Sequence, residues 1–208
     1  MPNICNNTIQ IQGSKEDIDR FTEEVTTVGH VGRFDMGEEE HTEVLDLCKA
    51  HPIPNVFHLI STGANTINGK KVDVWWYRSK KTGEITENDI FTRDDDDDLV
   101  AEEVPKDYQD ELTNTYGANN WYDWAYDNWA TKWVTKANKE EVSYDEFSWE
   151  EDGEEKTEVN LELVVDSAWG PPVYLLQKIA DDYNFRIGCR WWEEGGEAGW
   201  EHIQPQTN

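Results

Sequence analysis

Alternating apolar and polar positions near the start of the chain predict a strand followed by a helix. Residues 8–12 alternate with a period of two, which is typical of a half-buried strand with Ile9 and Ile11 inward. A Ser-x-x-Asp variant of the capping box begins at Ser14 and predicts the start of a helix. The apolar positions that follow have helical spacing: Ile18, Phe21 and Val25.

The same two periods recur in the second half of the chain. Strands are predicted over 141–149 and 158–166, joined by an acidic turn that contains Gly153. The second of these strands has one apolar face: Val159, Leu161, Leu163 and Val165. Helical spacing over 172–183 and alternation over 185–192 then predict a helix and a last strand.

Weaker patterns fill the middle of the chain. A short helix is predicted around 42–50, and alternation over 72–77 predicts a strand. Residues 120–135 have aromatic side chains in two adjoining stripes at helical spacing, so we expect one helix there. The order is strand–helix, an irregular middle, helix, and strand–strand–helix–strand, which predicts the α+β class.

The net charge limits the partners that the chain can have. Its 208 residues fit one domain, or one domain with an insertion, and carry 45 acids against 18 bases for a formal charge of -27. Such a charge repels nucleic acid and anionic membranes, and it favours basic proteins. The alternative is that the charge serves solubility alone.

The most acidic segment is predicted to be an exposed, mobile loop. Residues 84–111 hold thirteen acids and two bases, including a run of five aspartates at 94–98. Their spacing begins like a calcium loop, but Leu99 stands where Gly is needed and Pro105 where Glu is needed, which excludes an EF-hand. Cys48 and His51 lack a second matched pair for zinc. We therefore predict no metal and no cofactor.

The cysteines and the start of the chain favour the cytoplasm. The first residues have neither a basic segment nor an apolar core, so no signal peptide is predicted, and no apolar run approaches the ~20 residues of a membrane helix. Cys5, Cys48 and Cys189 are an odd, scattered set, which is typical of a reducing compartment.

Several motifs resemble the YubB-like family of phage and plasmid proteins. They are residues 2–13, with Ile4 where that family usually has Trp, residues 52–54, 121–133, with Ala130 where Gly is common, and 167–172. The resemblance implies a ferredoxin-like antiparallel sheet with helices on one face, and an origin in a mobile element. It brings no established activity and no catalytic residues. Residues 56–118 match poorly and are interpreted as an insertion that contains the acidic loop.

An acidic surface is the leading candidate site. Alternate acids on the strand over 158–166 lie roughly 7–14 Å apart, which is comparable to the pitch of phosphates along DNA. The predicted surface consists of Asp94, Asp95, Asp96, Asp97, Asp98, Glu150, Glu151, Asp152, Glu154, Glu155, Glu158, Glu162 and Asp166. Our leading hypothesis is therefore a protein of a phage or plasmid that binds and inhibits a basic host protein, such as a nucleic-acid enzyme or a defence effector, as a DNA mimic.

Two other functional classes stay open. Aromatic and arginine side chains form a second candidate site, a pocket that sequesters a nucleotide: Trp124, Trp129, Trp169, Arg186 and Arg190. Against it, the tryptophans also suit the core of a chain poor in Leu. An enzyme is the third class, with Asp123 and Asp127 as acids beside aromatic rings, but no nucleophile elbow, Walker loop or HExxH motif is present.

Overall fold

A computed structural model describes residues 3–31, 42–86, 99–151 and 153–206. The chain divides into two compact units. The first consists of Met1–Pro52 and Asn128–Asn208, and the second of Ile53–Asp127. The second unit encloses the segment 56–118. No helix in the described part of the chain is long and apolar enough to cross a membrane.

The described strands and helices follow one another along the chain as follows: β1 (Ile4–Ser14), α1 (Lys15–Val25), β2 (Thr26–Gly29), β3 (Thr42–Leu45), β4 (Ile60–Ile67), β5 (Lys70–Ser79), β6 (Ile85–Thr86), β7 (Leu99–Glu103), α2 (Lys106–Tyr116), α3 (Trp121–Trp129), β8 (Ala137–Asn138), β9 (Ser143–Glu151), β10 (Glu154–Ala168), α4 (Val173–Tyr183), β11 (Arg186–Glu193) and β12 (Ala198–Ile203). Short 3₁₀ turns lie at Leu47–Ala50, Asn55–Leu59 and Lys139–Glu141. Antiparallel sheets and helices packed against them place the chain in the α+β class, as predicted.

The largest sheet of the first unit is antiparallel and has the strand order β12-β11-β1-β10-β9. β1 lies at its centre and pairs with β10 from Ile4 to Ser14 and with β11 from Cys5 to Gln12. A smaller sheet of the same unit joins β2, β3 and β8.

Helices α1 and α4 cover one face of the five-stranded sheet. The odd-numbered residues of β1 and β10 face these helices, and the predicted inward positions are all buried: Ile9, Ile11, Val159, Leu161, Leu163 and Val165. The predicted helical stripe of α1 is buried as well: Ile18, Phe21 and Val25. These predictions are confirmed. On the opposite face, the outward side chains of β1, β11 and β12 are half-buried or exposed, and we call this side the open face.

Local contacts explain how α1 begins and what its buried face packs against. The Ser14 hydroxyl oxygen accepts a hydrogen bond from the Asp17 backbone N–H at 3.2 Å, as the capping pattern predicts. Phe21 then meets Tyr183 and Phe185 edge to face, with ring centroids 5.1 and 5.5 Å apart. The aromatic cluster therefore joins α1 to the end of α4.

The second unit is built on β5. This strand pairs with β4, β6 and β7, and its alternate residues Val72, Val74 and Trp76 are buried, as predicted for 72–77. The prediction of a loop over the whole of 84–111 is wrong, because 99–103 is a strand and a helix begins at Lys106. Residues 87–98 lie outside the described part of the chain.

Two predicted helices are wrong in part. Residues 42–45 form a strand rather than a helix, because β3 pairs with β2 and with β8. The aromatic helix ends at Trp129, since Ala130 has the left-handed backbone angle φ of 64°. Thr131 then bonds across to Ala168: its hydroxyl donates to the carbonyl oxygen at 2.8 Å and accepts from the N–H at 3.0 Å. These tertiary bonds oppose continuation of the helix into 130–135.

Candidate functional site

The β9–β10 hairpin extends beyond the rest of its sheet. β1 pairs with β10 only as far as Ser14 and Glu158, so residues 148–151 and 154–157 form a two-stranded ribbon. At about 3.3 Å per residue, four residues project by about 13 Å. We call the ribbon with Phe147 at its base the acidic arm, described at residues 147–151 and 153–157.

The acidic arm places like charges opposite one another. Its register pairs Glu150 with Glu155 and Glu151 with Glu154, and the side chains of Glu150, Glu154 and Glu155 are exposed. Carboxylates directly opposite across a strand pair repel and destabilise it. A basic partner would relieve this repulsion, so binding of such a partner would stabilise the arm.

Two aromatic rings accompany these acids. Phe147 and Trp149 are two residues apart and lie on one side of the arm, and they are 58% and 41% exposed. Exposed aromatic rings of this kind serve as anchors in protein interfaces. The arm therefore combines charges that attract a basic surface with rings that can pack on it.

The three predicted acids of β10 lie on the open face, but hydrogen bonds from β1 hold them. Asp166 accepts from the Asn6 amide at 3.1 Å, Glu162 from Gln10 at 2.7 Å, and Glu158 from Gln12 at 3.1 Å. Each carboxylate is half-buried. These acids serve the sheet itself, and they are less available to a partner than the acids of the arm.

The two predicted arginines differ in their contacts. Arg186 Nη2 donates to both carboxylate oxygens of Glu158, at 2.8 and 2.9 Å, and Arg186 Nε donates to Gln12 Oε1 at 3.4 Å. Arg190 is exposed on the same face, and among the described residues no ion pair or hydrogen bond involves its side chain. Arg190 is thus the arginine that remains available to a ligand.

The predicted aromatic pocket needs a correction. Trp124 and Trp129 are only 4% and 5% exposed, so they are core residues with no open ring face for a ligand. The Trp129 indole N–H donates to the His51 carbonyl oxygen at 2.9 Å. Trp169, at the end of β10, is 39% exposed and has a left-handed backbone angle φ of 63°. The alternative that these rings build the core holds for Trp124 and Trp129.

Strand β12 and its side chains were missed by the sequence reasoning. Trp200 and His202 lie on the open face beside Arg190 and Gly188 of β11. The signal was available: Gly195 and Gly196 separate two alternating segments, which is typical of a hairpin. Trp192 is also on this face and is 56% exposed, against 46% for Trp200.

Some predicted site residues cannot be placed. The aspartate run 94–98 and Asp152 lie outside the described residues, as does the side chain of Glu151. Across the described ranges, no three His, Cys, Asp or Glu side chains are grouped so that they could hold a metal ion. His51 hydrogen-bonds Asn128 at 3.2 Å, and Asp123 accepts from the Asn120 amide at 2.7 Å in the first turn of α3.

A buried polar cluster lies on the inner side of β1. The Asn7 amide donates to the carbonyl oxygens of Cys5 and Val165, at 2.9 and 3.2 Å, and to Ser167 Oγ at 2.9 Å. Its Oδ1 lies 3.6 Å from the Cys5 sulfur and 3.9 Å from that of Cys189. Asn7 is fully buried, so these bonds satisfy an amide that water cannot reach.

All three thiols are expected to be unreactive in the folded protein. Burial raises the pKa of Cys5 to about 11 and that of Cys189 to about 12, and burial also raises the pKa of Cys48. At pH 8 we expect reaction with Ellman's reagent to be at least about 100-fold slower in buffer than in urea. The stability that these raised pKa values contribute is complete below pH 9 and is lost as the pH rises toward 12. One rapidly reacting thiol in the native protein would contradict this prediction.

No family model, curated protein or solved structure matches the chain. The functional assignment therefore rests on the geometry described above.

Proposed function

We propose that this chain is an acidic interaction protein that binds a basic surface of another protein through its acidic arm. The observation that carries the proposal is the register of the arm, which sets Glu150 opposite Glu155 and Glu151 opposite Glu154. An isolated hairpin gains nothing from this arrangement, because like charges at paired positions destabilise it. A surface rich in Lys and Arg converts the repulsion into attraction, so the arm is suited to a basic partner.

The aromatic rings of the arm supply the short-range part of this interaction. Charges across an interface mainly steer association and exclude wrong partners, whereas aromatic anchors in the centre contribute most of the binding energy. Phe147 and Trp149 are exposed on the side of the arm that they share with Glu154, whereas Glu150 and Glu155 lie on the other side. We propose that the rings pack on the partner from one side of the arm while Glu150 and Glu155 attract basic side chains on the other.

In the DNA-mimic form of the proposal, the residues that take the place of DNA phosphates are now the acids of the arm alone. Glu158, Glu162 and Asp166 already accept hydrogen bonds from Gln12, Gln10 and Asn6. The exposed acids of the arm are the better match to a groove lined with Lys and Arg. That the partner is a nucleic-acid enzyme or a defence effector of a host is part of the proposal, and it is motivated by the charge of the chain and by the resemblance to proteins of mobile elements.

A ferredoxin-like fold for the first unit is proposed with it. Leaving out the edge strand β12, the sheet order is β11-β1-β10-β9, with α1 following β1 and α4 joining β10 to β11. In sequence order these elements are β1-α1-β9-β10-α4-β11, with the residues of the second unit inserted between α1 and β9, which supports the βαββαβ arrangement of that fold. This placement puts the arm at the turn between the second and third core strands.

The test is a pull-down from host lysate with the wild-type chain and a variant whose arm has lost its charge. The variant combines Glu150→Gln, Glu154→Gln and Glu155→Gln, which changes the formal charge from -27 to -24. We expect the wild-type chain to retain a basic protein at low salt and to release it at about 0.5 M salt. We expect the variant to bind the purified partner at least about tenfold more weakly.

A matched control carries the same charge change elsewhere. Glu16→Gln, Glu23→Gln and Glu197→Gln alter three exposed acids outside the arm, and we expect this variant to bind like the wild type. If the arm occupies the DNA-binding groove of the partner, double-stranded DNA should displace the partner from the wild-type chain. Equal binding by the arm variant and the control would overturn the proposal, and failure of DNA alone would overturn its mimic form.

A further inference from the structure

The part of the open face that β1, β11 and β12 form has no acidic side chain, although the chain is strongly acidic. The outward residues of β1, β11 and β12 have even numbers, and none of them is Asp or Glu. Glu193 and Glu201 belong to these strands but lie at odd positions, paired with Cys5 and Cys189 of the inner side. In a chain with 45 acids against 18 bases, this face instead has Arg186, Arg190 and exposed indoles.

The exposed indoles form two stacking platforms on neighbouring strands. Trp200 lies against β11 where Gly188 leaves room, because a Cβ at Gly188 would be 3.2 Å from Trp200 Cζ2. The Trp200 indole N–H donates to His202 Nδ1 at 3.3 Å, which holds the ring in place. Trp192 lies two residues beyond Arg190, the direct partner of Trp200. The Trp200 ring lies over Gly188 and Trp192 lies on the other side of Arg190, so the two indoles flank Arg190 along β11.

Amide oxygens lie beside the Trp200 platform. Gln10 and Gln12 donate their NH₂ groups to Glu162 and Glu158, which turns the amide oxygens toward β11. Gln10 Oε1 lies 3.8 Å from the position of a Cβ at Gly188. With Asn160, Trp200 and His202, these amides line a shallow cavity of about 260 Å³. An acceptor oxygen beside an aromatic platform suits a heterocycle that carries N–H donors.

Arg190 supplies the site for an anion. It is exposed beside Trp200, and within the described ranges its guanidinium group has no ion pair. A guanidinium group binds phosphate oxygens in a bidentate manner. The total charge of the chain opposes a phosphate at long range, but screening over about 8 Å at physiological salt makes the local charge decisive.

We infer that the open face of β1, β11 and β12 binds a nucleobase attached to a phosphate. The base stacks on Trp200 and donates a hydrogen bond to the amide oxygen of Gln10, while Arg190 binds the phosphate. Trp192 offers a second platform for the next base. The same chemistry is present in a free nucleotide and in single-stranded nucleic acid. The site shares no residue with the acidic arm and goes beyond the proposed function.

The experiment measures binding of two kinds of probe to the full chain. One is a fluorescein-labelled single strand of about ten nucleotides, as RNA and as DNA, followed by fluorescence anisotropy at about 0.15 M salt. The other is the set of four ribonucleoside monophosphates, added up to about 1 mM and followed by the NMR signals of the indole N–H groups. We expect the single strand to bind more tightly, since it can use both platforms.

The variants separate this site from the arm. We expect Trp200→Ala to weaken binding by roughly tenfold or more, and Arg190→Gln to weaken it and flatten its salt dependence. Trp149→Ala removes a comparably exposed indole from the arm, and Arg20→Gln removes a comparable charge from α1. Both controls are expected to bind the probes like the wild type, and each variant is first shown to melt cooperatively.

The outcomes are distinct. If the single strand binds more tightly than the monophosphates, the ligand is single-stranded nucleic acid. If the affinities are equal, the ligand is a free nucleotide. Absence of binding by the wild-type chain in both assays, or unchanged binding by Trp200→Ala, overturns the inference. Because the pull-down depends on the acidic arm and these assays on Trp200 and Arg190, either proposal can fail while the other stands.

Discussion

Phe21→Ala is expected to lower the free energy of unfolding by about 3–5 kcal/mol. The Phe21 ring is fully buried on α1 and packs edge to face on Tyr183 and Phe185. Neighbours that are themselves stacked on each other, with centroids 5.4 Å apart, cannot collapse easily into the space that the ring leaves. Urea unfolding followed by circular dichroism measures the change.

Phe147→Ala is the matched control for this prediction. The same side chain is removed, but from a position that is 58% exposed on the acidic arm, so we expect a loss within about 0.5 kcal/mol. Similar losses for the two variants would mean that the aromatic cluster around Phe21 does not hold α1 to the sheet.

Asn7→Asp is expected to destabilise the protein by about 3–5 kcal/mol at pH 7, although the side chain keeps its shape. The substitution replaces an amide that donates to Cys5, Val165 and Ser167 by an acid that, when ionised, has no hydrogen to donate. Burial disfavours the charged form, so the pKa of the new carboxyl rises in the folded state above its unfolded value of about 3.9. The destabilisation is full above the folded pKa, decreases as the pH falls from there toward the unfolded value, and is smallest below about 4.

The Asn7→Ala variant separates the buried charge from the lost hydrogen bonds. It should be destabilised by about 1–3 kcal/mol with no dependence on pH between 4 and 7 that the wild type lacks, since it adds no titrating group. Thermal unfolding of the wild type and both variants at about pH 4 and pH 7 makes the comparison. An Asn7→Asp loss that stays constant with pH would show that the charge is not its cause.

Sequence patterns predicted the elements that have a clean apolar face. β1 and β10 alternate without interruption, and α1 has its apolar residues on one stripe. In each case a single face is buried, so the period along the chain reports directly on the packing. The capping residue Ser14 was predictable for the same reason, because its partner is only three residues away.

The elements that were misjudged depend on contacts far along the chain. The helix after Trp121 stops at Ala130, where Thr131 bonds to Ala168, thirty-seven residues further on. Likewise, β3 is a strand because β2 and β8 pair with it. Local periodicity has no access to such partners.

For the candidate sites, the sequence could predict only which residue types are present and not how they are arranged. That Glu150 and Glu155 are acidic is plain from the sequence, but their opposition in the arm follows from the register of β9 and β10. The open face depends on which side of each strand is covered by helices. The buried state of Trp124 and the exposed state of Trp200 could not be told apart by residue type.

The central position of β1 also sets the order in which the protein can be completed during synthesis. The ribosome makes β1 well before its neighbours, since β10 begins only at Glu154 and β11 only at Arg186. At about 5–20 residues per second, roughly 10–35 s pass between Ser14 and Arg186. Ile9 and Ile11 therefore lack their final packing partners during this time. We expect the many acids of the intervening chain to keep the unfinished polypeptide from aggregating.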